Sequence, residues 1–216
     1  EWLTSSYLML FAEKLCRCVK YGSQMSCVDV RRAFSQLGVT IIPSVNPDSA
    51  EIFLRGFEGA GSLRHFASSL GENNRLWNAN AMGVDIKRNF SSHSRNSSSP
   101  FLKDTSEPCA EGYCGKYGES EAETKALTRL CRLHHFRQCM SLECGRNELL
   151  HHGENSPLRS NMMAKILADS CGYYFSQDDD RRGITTFSSW FAEEFMQPAF
   201  TIKTDKGEIP LSEESF

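Results

Sequence analysis

The chain has 216 residues, enough for one large domain or two small ones with a buried core. A formal net charge of −3 with both signs mixed along the sequence argues against nucleic acid as the main partner, because neutralising a phosphate backbone takes a basic face. No apolar run approaches the ~20 residues that span a bilayer, and no signal peptide is visible.

Leu8, Phe11, Ala12, Leu15 and Val19 recur at helical spacing after Thr4 and Ser5 as caps, so residues 5–20 are expected to form an amphipathic helix. A shorter helix is expected over "VDVRRAFSQL", residues 28–37, stopped by Gly38. "VTIIPSV", residues 39–45, reads as an inner strand, β-branched and apolar on both faces. It runs into Asn46-Pro47-Asp48, a turn signal. Residues 91–116, rich in serine, asparagine and proline, predict one long surface loop. "SEAETKALTRLCRLHHF" from Ser120 opens a helix, with Ser120 and Glu123 at capping-box spacing. Two more strand-like runs follow, "RQCMSLEC" (137–144) and "AFTIKT" (199–204). Helical segments at 160–171 and 187–196 separate them. Strands alternating with helices predict an α/β fold with a mixed, mostly parallel sheet flanked by helices on both faces, as a single domain over 1–216. In such sheets ligands gather at the carboxyl ends of strands. There is no GxGxxG and no Walker loop, so nucleotide binding has no support.

Nine cysteines, an odd number without the paired C-x-x-C spacing of a zinc ribbon, read mainly as packed thiols. Cys109 and Cys114 are the pair most able to bridge in an oxidising compartment. His134-His135 and His151-His152 lack the i, i+4 spacing of a helical zinc site and read as surface residues. Asn89-Phe90-Ser91 and Asn96-Ser97-Ser98 fit glycosylation acceptors, a meaning that vanishes in a bacterial chain.

Five segments in fixed order carry something more specific: Glu1-Trp2 with the helix after it, "IIPSVNPD", "GVDIKRNF", "GKYGESEAETKAL" and "PAFTIKTDKGEIPLS". Together they resemble the zinc metallocarboxypeptidases of the carboxypeptidase A type, nearest the bacterial branch of γ-D-glutamyl-diamino-acid peptidases that act on peptidoglycan stem peptides. The resemblance implies a zinc ion at the strand ends and a peptide substrate with a free carboxylate. It also implies a chain that begins and ends inside the family's fold. By the same resemblance, Glu1 matches the carboxylate ligand of an H-x-x-E-W zinc motif, and Glu143 stands where the family has a second zinc histidine. Lys203 stands at the general-base glutamate. Arg88 matches the arginine that grips the substrate carboxylate, and Lys87 replaces the asparagine beside it. Asn78 and Met82 stand where basic residues are usual.

The chemistry at these positions is the difficulty. A catalytic zinc takes three protein ligands and an open position for water, and two carboxylates without histidine make a poor zinc site. An ammonium of ordinary pKa ~10.4 accepts no proton at neutral pH and repels a metal ion. The expectation is therefore a degenerate site in which Glu143 and Lys203 pair across the cleft. Cys144, beside Glu143, reads as a packed thiol, with substitute ligand and nucleophile as the other possibilities. Three functional classes follow from the sequence: an impaired zinc peptidase, a module binding carboxylate-terminated peptides, or a partial product without function of its own. The compartment stays open between bacterial cytoplasm and cell envelope or secretion.

Overall fold

The structure is a computed structural model that describes residues 2–25, 28–91, 106–153, 156–177 and 185–204. Glu1 lies outside the described residues, as does Asn96 and most of the serine-rich stretch. Two compact units emerge, Glu1–Ser44 with Lys206–Phe216, and Val45–Asp205.

In the first unit, helix α1 (Trp2–Tyr21) follows the predicted periodicity. Leu15 and Cys18 on its inner face pack with Val30, and Met25, Phe34 and Ile41 close around them. A two-residue hairpin pairs β1 (Gln24–Met25) with β2 (Val28–Asp29). Only one helical turn follows, α2 (Val30–Ala33), not the helix expected over residues 28–37. Asp29 causes the late start: its carboxylate accepts the Arg32 N–H at 3.0 Å and fixes an N-cap after the strand. The strand expected over residues 39–45 is absent as well. Val39 and Val45 are exposed there, and Pro43 offers no N–H to a ladder. β-branched residues make a strand only where a neighbour accepts their backbone bonds.

The second unit opens with α3 (Pro47–Arg55), so Asn46-Pro47-Asp48 is a helix start and not a turn. Asn46 caps it by accepting the Ser49 N–H at 3.0 Å, and proline at N1 has the φ a helix needs. A 3₁₀ stretch (Gly56–Leu63) and α4 (Arg64–Leu70) follow, unforeseen because their alanines and glycines give little periodicity. Ile52, Ala60, Ala67, Trp77, Ala79 and Ala81 form the core beneath them. Helix α5 (Ala122–Leu133) lies where expected, but the Ser120 capping box does not form. Glu121 is the N-cap residue, and the Ser120 hydroxyl donates to its carboxylate at 2.7 Å.

The central sheet has the order β3 (Cys139–Cys144), β6 (Ala199–Thr204), β4 (Glu148–His152), β5 (Tyr174–Gln177). β3 runs parallel to β6, β6 antiparallel to β4, and β4 parallel to β5. The fold is therefore the expected α/β arrangement with a mixed sheet. Helix α6 (Leu158–Cys171) crosses from β4 to β5 and packs Ala164 and Ala168 on Leu149 and Phe200. Helix α7 (Phe187–Phe195) covers the other face: Ser188 Oγ lies 2.8 Å from Ser141 Oγ and 3.2 Å from Thr201 Oγ1, which donates to it. Thr186 and Ser189 form a capping box at its start.

Strand β4 overturns the reading of His151 and His152 as surface residues, since both are buried. His152 bonds Thr201 Oγ1 at 2.7 Å, and His151 faces the Phe200 ring at 6.1 Å. The polar look of "ELLHH" hid a strand covered on both sides. His134 and His135, just past α5, are exposed as expected. Cys109 and Cys114 are not bridged to each other: the Cys109 thiol donates to the Glu111 carbonyl at 2.9 Å and the Cys114 thiol to the Gly115 carbonyl at 3.7 Å. Burial pushes the Cys131 thiol up to about 11 and raises that of Cys139 further, so both are neutral packing groups.

Candidate active site

Because β3 and β6 are parallel, their carboxyl ends meet at one edge of the sheet, with Glu143 in register with Lys203 and Cys144 with Thr204. Antiparallel β4 starts at the same edge and sets Glu148 opposite Lys203. Side chains alternate between faces along a strand and register partners share a face. Glu143, Lys203 and Glu148 therefore form one row, on the same face as Ser141 and Thr201, which α7 covers. Cys144 belongs to the opposite face, so its thiol does not join the row.

The expected partnership of Lys203 with Glu143 is corrected by the geometry. Lys203 Nζ donates to Glu148 Oε2 at 3.4 Å, with the two side chains 27% and 28% exposed. Directly opposite partners in an antiparallel pair come closer than the slanted partners of a parallel one, which favours Glu148. Backbone closes the row's other end. Gly145 N–H donates to the Thr204 carbonyl at 2.6 Å, and Thr204 Oγ1 to the Glu143 carbonyl at 3.4 Å. A Cβ on Gly145 would stand 2.5 Å from Lys203 Cβ, so only glycine allows this approach.

This donor set does not fit the zinc ion that the sequence resemblance implies. Two carboxylates flank an ammonium, and an ammonium at the centre of the row repels a dication. Among the described residues, no three His, Cys, Asp or Glu side chains converge as metal ligands. His152 is held by Thr201, and His151 lies on the opposite face.

The second constellation is the segment 80–90. Most of its polar groups are structural. Asn80 Oδ1 accepts the N–H groups of Met82 and Val84, while its amide donates to Glu121 at 2.8 Å. Asn89 is fully buried; its amide donates to the Cys114 and Tyr117 carbonyls and to Ser120 Oγ, and its Oδ1 accepts the Glu121 N–H. Asp85 caps a 3₁₀ turn (Ile86–Arg88) by accepting from Lys87 N–H, and also accepts from Gly112 N–H. Burial raises the Asp85 carboxyl above its ordinary value, opposed by Arg88, Lys87 and these two N–H bonds. Phe90 anchors the segment to α7, its ring 5.7 Å from Phe187 and 5.9 Å from Trp190.

Arg88 emerges from this scaffold half-buried, with Nε 3.5 Å from Asp85 Oδ2 and Nη1 donating to the Gly112 carbonyl at 3.4 Å. Lys87 beside it is exposed. Met82 is exposed, and Asn78 serves through its backbone, accepting from Asn46 Nδ2 and donating to Ala110. The structure thus brings Glu143 and Lys203 into one row and keeps Arg88 and Lys87 together on a separate turn. Sequence reasoning missed Glu148, the carboxylate that engages Lys203. Its only signal was the short run "ELLHH", legible as a strand once His151 and His152 are allowed to be buried.

Residues 1–190 match the zinc carboxypeptidase family. The chain is 25% identical over 224 residues to YqgT of Bacillus subtilis (strain 168), covering 100% of this chain and 58% of that protein. It is 22% identical over 220 residues to the γ-D-glutamyl-L-diamino acid endopeptidase 1 of Lysinibacillus sphaericus, covering 98% of this chain and 53% of the relative. It thus spans about half the length of the curated relatives it matches. Among solved structures, thrombin-activatable fibrinolysis inhibitor superposes with a TM-score of 0.69 at 19% identity, over 96% of this chain and 52% of that one. That likeness concerns the fold. With the family match over residues 1–190, the chain belongs to the zinc carboxypeptidases.

Proposed function

We propose that this domain is a carboxypeptidase-fold module, hydrolytically impaired, that holds peptides by a terminal carboxylate at Arg88 and Lys87. The observation that carries the reading is Lys203. At the position where the family resemblance calls for a general base stands an ammonium, held by Glu148 and in register with Glu143. A lysine engaged by a carboxylate cannot take a proton from water at neutral pH. Lys203 therefore supplies no base at that position, and the row offers no histidine to a metal.

Binding has more support than chemistry. Asp85 and the Gly112 carbonyl orient the Arg88 guanidinium on a rigid, glycine-turned segment. A planar fork of N–H donors so held suits bidentate engagement of a carboxylate, and exposed Lys87 adds a second cation. The relative named as a γ-D-glutamyl-L-diamino acid endopeptidase supports peptidoglycan stem peptides as the ligand class.

The test has two readouts. First, the folded chain is given excess zinc, dialysed, and assayed for metal by mass spectrometry. Second, titration calorimetry compares a γ-D-glutamyl-diamino-acid peptide bearing a free carboxylate with its amide, on the native chain and on Arg88→Met. The reading expects no retained zinc, no cleavage, and binding that requires both the carboxylate and Arg88. Stoichiometric zinc with turnover of the peptide overturns it, as does equal binding of acid and amide.

A further inference from the structure

Position 203 is the middle of a charged row. Its register partners are Glu143 on β3 and Glu148 on β4, and the three side chains share one face at the carboxyl ends of β3 and β6. The next row inward on that face is neutral, with Ser141, Thr201 and Leu150. Charge is therefore confined to the sheet edge, in the order acid, ammonium, acid. Glu143 is half-buried, and its carboxylate makes no hydrogen bond or ion pair among the described residues. The lysine is seated in a groove. Residues 145–147 cross the end of β6 on the way from β3 to β4, because β6 lies between those two strands. A Cβ on Gly145 would meet Lys203 Cβ at 2.5 Å, Cδ at 3.0 Å and Cγ at 3.1 Å, so the bare glycine makes room for the whole methylene stem. The stem so held delivers its ammonium to Glu148.

The mismatch between this donor set and zinc has a single source. We propose that Lys203 is the resident cation of the row, and that its ammonium closes a latent divalent-metal site made of Glu143, Glu148 and position 203. The inference rests on the metal-free reading of the domain and goes beyond it by naming the ligands and the one residue that shuts them. Glu143 and Glu148 stand two strand spacings apart, roughly 10 Å at the backbone. Two glutamate side chains span that gap around a cation, since zinc takes carboxylate oxygen at about 2.0–2.2 Å. Such a pair needs an unoccupied centre and a third donor, and the lysine removes both: its ammonium fills the centre, has no lone pair to give and repels a dication. Histidine at 203 would reverse both effects, adding an imidazole nitrogen between two carboxylates on one rigid face. Methionine would keep a packed stem against Gly145 and remove only the charge.

Zinc content after loading and dialysis, zinc titration calorimetry and melts with and without zinc test the proposal on the native chain, Lys203→Met, Lys203→His, and Lys203→His combined in turn with Glu143→Gln and Glu148→Gln. Circular dichroism confirms that each variant folds. Lys203→His is expected to retain one zinc per chain and to melt higher with zinc than without, because an ion bound only by the folded state stabilises it. Either glutamine should abolish the retention. Lys203→Met should take up zinc weakly in titration, where the native chain takes up none at the row. A folded Lys203→His that retains no zinc overturns the proposal, as does retention that survives both glutamine substitutions. So does zinc held by the native chain and lost with Glu143→Gln or Glu148→Gln, which would mean that the row is open with its lysine in place. Failure of the peptide-binding reading shows elsewhere, as equal binding of acid and amide at Arg88, and leaves these zinc results unchanged.

Discussion

Lys203 Nζ lies 3.4 Å from Glu148 Oε2, across the antiparallel pair and not across the parallel one that sets Lys203 beside Glu143. Both partners are about a quarter exposed, so solvent screens the pair and the entropy of two long side chains offsets part of its attraction. Lys203→Ala should cost about 1 kcal/mol, well short of the ~3–5 kcal/mol of a buried pair losing a partner. A double-mutant cycle with Glu148→Ala should show coupling, and one with Glu143→Ala much less. Urea melts of the four variants measure it. Equal coupling to both acids would mean that Lys203 divides its charge between them.

The same edge holds a steric constraint. Gly145→Ala would set a methyl 2.5 Å from Lys203 Cβ, a backbone-anchored atom that cannot swing away. Overpacking of this kind costs about 1–3 kcal/mol. The melting midpoint of Gly145→Ala should fall by several degrees, and Lys203→Gly should restore part of the loss. Absence of rescue would place the strain elsewhere, in the Gly145–Thr204 backbone contact.

The buried amide of Asn89 joins the 80–90 segment to the loop ahead of α5 through three donated bonds and one accepted. Asn89→Ala leaves the Cys114 carbonyl and the Glu121 N–H without their Asn89 partner and takes a second bond from the Tyr117 carbonyl and the Ser120 hydroxyl, a loss of about 2–4 kcal/mol. Asn89→Asp should be no milder, because a carboxylate cannot donate to the Cys114 and Tyr117 carbonyls. If binding of the peptide acid falls in these variants while Arg88 is intact, the amide is positioning Arg88 through the turn it braces.

The sequence made the fold class legible because its strongest signals are long ones: α1, α5, α6 and α7 repeat apolar residues over several turns, and "AFTIKT" is a buried strand by composition alone. What it hid were elements whose identity comes from their neighbours. β4 looks polar until His152 finds Thr201, and the 39–45 run looks like a strand although, among the described residues, it joins no sheet. The site followed the same division. That Lys203 and Glu143 lie side by side could be inferred from motif positions on two strands, whereas Glu148 needed the register of a third.

Arg132 clamps Glu119 with two parallel bonds of 2.9 Å, and Ser91 and Thr128 donate to the same carboxylate. These bonds, the arginine's first, hold the Glu119 carboxyl down at about 2 from an ordinary 4.5. They also secure a backbone with φ of 60°, which a non-glycine residue adopts at a cost. A depressed folded pKa contributes stability that is present above 4.5 and lost as pH falls towards about 2. Arg132→Met should therefore lower the urea midpoint at neutral pH, and the gap from the native chain should close across that acid window. A gap independent of pH would assign the loss to the stacking of Arg132 on Trp190, 5.4 Å from the ring centre.

His151 supplies a second window, higher in pH. Both ring nitrogens are buried without a hydrogen-bond partner among the described residues, against Phe200. Burial, and then the neighbouring His152, lower its pKa below the ordinary 6.5. The unfolded chain takes up a proton that the folded chain refuses, so stability is full above 6.5 and declines as pH falls through the lowered folded value. His151→Phe removes the titrating group and two unsatisfied polar atoms while filling the same space between α6 and the sheet. The variant should be at least as stable as the native chain at neutral pH, and more stable than it in mild acid, by urea melts on either side of pH 6.5. A variant less stable at neutral pH, with an unchanged pH profile, would mean that the imidazole is satisfied in solution and that its titration does not govern the fold.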